Sequence, residues 1–284
     1  MGLPESRLVV VLLAALTFAV GCSPEEERVV EGDVIVEQAS DAAAIADAVR
    51  ITGALKVKRA DIEQLHLPRL VEIGGRLSIQ KNKSLTEVLL PALAAVGGKS
   101  GHELVVENNF ALESLLLGKL EEAADGLVVR QNPKLARVDL GALARVGRFG
   151  VELVSNDGVR ALELPALARA PRLHVESCYR LEKIGVAVLE RAGVVTIRAN
   201  PNLTEIEDVE PAKVAAAART GTPSKDAVLE IRDNYELATC EGTRFAERMT
   251  ERGWSGAVAV CGNKPDTCAP MGCEPAAGSS GSNL

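Results

Sequence analysis

Three histidines, six cysteines and a short series of carboxylates are the residues of this 284-residue chain best suited to chemistry. His66, His102 and His174 stand at three different points of the local sequence pattern, so no triad assembles from them, and no G-x-S-x-G elbow accompanies them. His66 and His102 read as solvated turn or linker residues. No H-E-x-x-H, phosphate-binding loop or dinucleotide fingerprint occurs. The best catalytic arrangement is a pair of carboxylates, Glu152 and Glu176, with Arg130 and Arg198 beyond them. Paired carboxylates serve glycoside cleavage, which makes a β-helical glycan-cleaving enzyme the enzymatic alternative. Together with His174 and Arg232, the same residues form a candidate binding face, of which the simpler reading is a solvated surface with cross-strand ion pairs. Aromatic rings are missing from that face, which weakens a sugar platform there. Phe110, Tyr179 and Tyr235 share another position, at one corner edge, where packing is the plain reading.

The sulfur chemistry is structural. Cys240, Cys261, Cys268 and Cys273 crowd the C-terminal end and read as two disulfides, with all three pairings open. No paired C-x-x-C supports zinc, and no cofactor is expected. Cys178 stands alone and reads as a buried, inert thiol.

These residues ride on a ladder of near-repeats. Short Leu/Val-rich strands begin at Leu55, Leu77, Leu104, Leu127, Val151, Leu173, Val195 and Leu229. Five residues into the unit stand Asn82, Asn109, Asn132, Asn156, Asn200 and Asn234, a column broken by Ala60 and Cys178. Eight residues in stand Leu85, Leu112, Leu135, Val159, Leu181, Leu203 and Leu237. Such self-similarity marks a solenoid, each repeat one coil stacked on the last. Alternation in Leu77-Ser78-Ile79-Gln80 predicts a half-buried strand, and an Asn at the following corner can bond backbone groups of the neighbouring coil. The phrase Leu90-Pro91-x-Leu93-x-x-Val96-Gly97-Gly98 continues the unit, its Pro forcing a corner and its glycines a turn. The expected fold is mainly β: a right-handed parallel β-helix or leucine-rich-repeat-like solenoid of about eight coils with short helical caps.

This pattern resembles the receptor L-domain family, the leucine-rich-repeat-like β-helix of growth-factor-receptor ectodomains. The resemblance rests on Leu70 to Ile79 with Asn82 and Leu85, then Leu90-Pro91-Ala92-Leu93 to Gly98, and it degrades after Gly147. It implies a right-handed coil of parallel strands and a role in recognising a partner without catalysis. It carries over no ligand residue.

The ends complete the plan. Leu8 to Val20 is a short apolar run after Arg7, and Ala19-Val20-Gly21-Cys22 resembles a bacterial lipobox. Residues 1–21 are thus expected to be a lipoprotein signal peptide, with Cys22 the lipidation site, followed by a tether over 22–32. The solenoid is expected over 33–239, a Cys-rich cap over 240–273 and a disordered tail over 274–284. Glu210 to Arg219, behind Pro211, is expected to be a short helix in a surface insertion. An aromatic content of 2% leaves Leu, Val, Ile and Ala to fill the core. A net charge of −7 offers no basic field for nucleic acid. The function expected is that of a non-enzymatic cell-envelope lipoprotein, lipid-anchored at the outer membrane, that binds or adheres to a protein or glycan at the cell surface. A purely structural envelope protein is the second reading.

Overall fold

The computed structural model describes residues 27–97, 103–189, 191–207 and 228–273. The expected signal peptide, Cys22 with the first part of the tether (22–26), His102, the Glu210–Arg219 helix and the tail lie outside the described residues.

The chain forms a parallel β-solenoid of about eight turns. Each coil has three sides. The coil that starts at Leu77 shows them as Leu77–Gln80, Glu87–Leu89 and Ala95–Val96. The first side stacks into one long parallel sheet, in which Leu55, Leu77, Leu104, Leu127, Val151, Leu173, Val195 and Leu229 are successive partners. Leu77 and Ile79 are fully buried and face the axis, as alternation expects, but Ser78 between them is also covered, so the strand is more than half-buried. The second side makes a four-stranded sheet from Gln64–His66 to Arg137–Asp139 and a three-stranded one from Ala161–Glu163 to Glu205–Glu207.

The Asn column is an internal ladder. Asn132 is fully buried; its Nδ2 donates to the Val106 carbonyl at 3.1 Å and to Asn156 Oδ1 at 3.0 Å. Its own Oδ1 accepts the backbone N–H of Asn109 at 3.0 Å and the Asn109 amide at 3.1 Å. An amide is needed because the corner of the preceding coil leaves both a backbone donor, the Asn109 N–H, and a backbone acceptor, the Val106 carbonyl, to satisfy. The residue before each column position is left-handed: Arg59, Lys81, Asn108, Gln131, Ser155, Ser177, Ala199 and Asp233 have φ between 53° and 58°. This conformation turns the chain sharply out of the strand and aims the next side chain inward.

At the column's break, Cys178 is fully buried and free. The thiol replaces only part of what the amide does elsewhere. Its Sγ donates toward the Leu153 carbonyl at 3.7 Å, the place an Asn Nδ2 fills elsewhere. Burial pushes the thiol up to about 12, so it stays protonated and inert at neutral pH.

The third side explains why the repeat phrase fades. Early coils turn at glycines. A Cβ on Gly74 would lie 2.4 Å from the Thr52 carbonyl oxygen, so the chains approach too closely there for any side chain. After Gly147 that corner changes. Arg169–Glu176 and Arg191–Arg198 run as eight-residue strands that fuse the third side with the long sheet.

Both ends reach further than the sequence boundaries. Val29–Val30 pairs with Arg50–Ile51, so the body begins inside the expected tether. Val34–Gln38 then adds a strand beyond Leu55, and helix α1 (Ala39–Ala44) follows it. At the other end, Ala257–Cys261 pairs in register with Val228–Arg232. The expected cap is therefore partly one more coil, and Asn263 continues the ladder by accepting the Asn234 backbone N–H at 3.2 Å. Gly262 occupies the left-handed position there, with φ at 64°. Helix α2 (Thr239–Glu251) buries Gly242, Phe245, Ala246 and Met249 along one stripe and packs on Ala257–Cys261. Disulfides Cys240–Cys268 and Cys261–Cys273 hold this end together, which selects one of the three pairings.

Candidate functional site

The six residues of the candidate face do come together on the outer surface of the long sheet. Glu152, His174, Thr196 and Glu230 form one row of register partners. Val154, Glu176, Arg198 and Arg232 form the next, beginning at Arg130. Strand alternation puts both rows outward, and parallel pairing sets neighbours close enough for ion pairs.

The charges are largely spent on one another. Arg130 reaches Glu152 at 3.0 Å. Glu176 is clamped between Arg198 at 2.9 Å and His174 Nε2 at 2.7 Å. Arg232 turns to Glu230 on its own strand at 3.2 Å. Glu152 and Glu176 do not face each other as a pair: the partner of Glu152 is His174, and that of Glu176 is Val154. Burial opposes charge on Glu176, but hydrogen bonds from Arg198 and His174 outweigh it and hold the carboxyl below its usual range. A general acid for glycoside cleavage needs the opposite shift. This surface is thus an ion-pair lattice, in which Arg130 Nε is buried with no hydrogen-bond partner among the described residues.

The corner is different. Phe110, Tyr179 and Tyr235 are 58%, 64% and 66% exposed. Each follows a column residue, Asn109, Cys178 or Asn234, whose inward side chain forces the next one outward. Corner packing does not account for them, because more than half of each ring's residue meets solvent.

Sequence reasoning missed the concavity beside the first of these rings. A groove of about 610 Å³ runs over the corner of three successive coils, lined by Arg59, Lys81, Lys83, Asp61, Ser84, Asn108 and Phe110 among others. Its signal was present in the chain: the residue before the column is a cation in the first two coils and in none of the later ones. A smaller hollow of about 380 Å³, by Asp33, Lys56 and Arg76, sits at the glycine corner. There Asp33 is already engaged, accepting from the Ala54 N–H at 2.8 Å and from Lys56 at 2.7 Å.

Among the described residues the one His/Cys/Asp/Glu cluster close enough to hold a metal is Cys240, Asp266 and Cys268. Its sulfurs are joined to each other, and Asp266 accepts the backbone N–H groups of both cysteines at 2.9 Å. The cluster reads as a stapled turn. Comparison of the chain with protein-family models, curated proteins and solved structures returned no match, so the geometry above is what bears on function.

Proposed function

We propose that the protein is a non-enzymatic lipoprotein of the cell envelope, related in design to receptor L-domains, whose solenoid presents a recognition surface to an envelope or extracellular partner. One observation carries the reading. In a chain with an aromatic content of 2%, three rings stand exposed at the same corner position of different coils. Solvated rings are costly to keep on a surface and are favoured anchors for binding. The body supports such a role: an internal ladder of buried amides and a stapled end give a rigid frame, so little order is lost when a partner docks.

The expected anchor is Cys22, and Cys22→Ser should move the protein from the membrane to the soluble fraction. The recognition role is tested by crosslinking in the native envelope, parent beside a Phe110→Ala/Tyr179→Ala/Tyr235→Ala variant. Capture of one species by the parent and its loss in the variant supports the reading. Equal capture, or none by either, removes it. The second reading, a purely structural envelope protein, draws on the mutual neutralisation of the sheet face, where Arg130, Glu152, Glu176 and Arg198 already have partners.

A further inference from the structure

We infer that the groove over the first corner is a binding site for an acidic saccharide, a sugar chain bearing carboxylate or sulfate groups. The inference deepens the recognition reading and rests on it.

Three cations, Arg59, Lys81 and Lys83, line the groove against a single carboxylate, Asp61. All four are exposed, and among the described residues no ion pair engages any of the cations. This is unlike the adjacent sheet face, where Arg130, Arg198 and Arg232 each have an acidic partner. The local excess of positive charge sits on a chain of net charge −7. Such a patch draws anions from solution.

Folding does not call for these residues. Arg59 and Lys81 occupy the left-handed position, where other coils place Asn, Gln, Ser, Ala, Asp or Gly. A long cation brings no local hydrogen bond that favours this conformation, as Asn or Asp can. The two also stand on neighbouring coils, as the Ala60 N–H to Asn82 Oδ1 bond shows, so their charges repel. A ligand's anionic groups would relieve that repulsion.

The remaining lining indicates what carries those groups. Phe110 offers an exposed ring to the groove, and no cation lies over it among the described residues. A flat apolar ring suits the C–H face of a sugar. Asp61, Ser84 and Asn108 supply acceptors and donors suited to hydroxyl groups. The backbone, by contrast, is closed to a peptide strand. The Lys81 N–H donates to Glu107, the Asn108 N–H to Arg130, and the Ala60 N–H to the ladder. Main-chain pairing, which gives strand addition its affinity, therefore gains nothing here. Asp61 further disfavours a purely acidic peptide, while it accepts from hydroxyls.

The test is calorimetric titration of the oxidised full chain with short oligogalacturonate and with heparin-derived oligosaccharide, which separate carboxylate from sulfate. Methyl-esterified oligogalacturonate and polyglutamate serve as comparisons. At least one acidic saccharide should bind, in a salt-sensitive way, and the ester should not. Lys81→Glu and Phe110→Ala should each weaken binding by roughly tenfold or more, while Lys119→Glu, an exposed cation on another side, should leave it unchanged. Three results overturn the site: no binding of either acidic saccharide, polyglutamate binding as tightly and indifferent to Phe110→Ala, or equal damage from Lys119→Glu. A partner captured in the envelope and unaffected by Lys81→Glu would end this inference and leave the recognition reading standing.

Discussion

At the scale of single residues, the internal amides and the thiol among them decide stability. Asn132→Ala strips a donor from the Val106 carbonyl and an acceptor from the Asn109 N–H, both buried. Unfolding in urea should show a loss of about 3 kcal/mol. Cys178→Asn should do the reverse and gain about 1 kcal/mol by restoring the missing ladder bonds. The column was legible as six recurring asparagines, but alternation alone would aim the residue five after Leu77 outward, and only the left-handed residue before it turns it in. The left-handed residue preceding each was not legible, because the position holds Arg, Lys, Gln and Ala as well as the turn-forming Asn108, Asp233 and two serines, so no common turn signature recurs. Glu176 gives a pH dependence. Its carboxyl lies below the ordinary value of 4.5 in the fold, so its contribution is full above 4.5 and is lost as pH falls through the lower folded value. Arg198→Gln should flatten that acid limb of a stability-against-pH curve. An unchanged limb would mean that the Arg198–Glu176 pair contributes nothing.

Strands and helices depend on what covers them. The last strand, Ala257–Cys261, keeps its place through α2 above and two disulfides beside it. Cys240→Ser/Cys268→Ser opens a loop with a sequence separation of 28. It should cost about 3 kcal/mol, read from urea unfolding under oxidising conditions. Sequence showed both the helix and the strand of this end, but not that the strand continues the long sheet. Asn263 carried that information: it stands five residues after Val258, as Asn234 stands five after Leu229. The helix between Leu237 and Val258 stretched the interval and hid the repeat. The corner groove escaped for a related reason. Arg59, the pair Lys81 and Lys83, and Phe110 lie far apart along the chain, and only the stacking of coils sets them side by side.

For the molecule as a whole, every coil is dry only because its neighbours cover it. Leu135 is fully buried at the middle of the stack. Leu135→Ala should cost roughly 2–5 kcal/mol and raise hydrogen exchange in the coils on either side, more than at the ends. Damage confined to one coil would contradict a one-dimensional stack. The stack is not uniform along its length. Between Arg137–Asp139 and Ala161–Glu163 the second side divides into two sheets, the glycine corners give way to fused strands from Arg169, and at Cys178 the asparagine column is interrupted. Three seams thus fall within neighbouring coils. For a body held by one end and tugged at the other, such a place acts as a mechanical fuse. Tension would part the N-terminal half from the stapled C-terminal half there before it tore either one, and a single-molecule stretching trace would record the break as two separate steps.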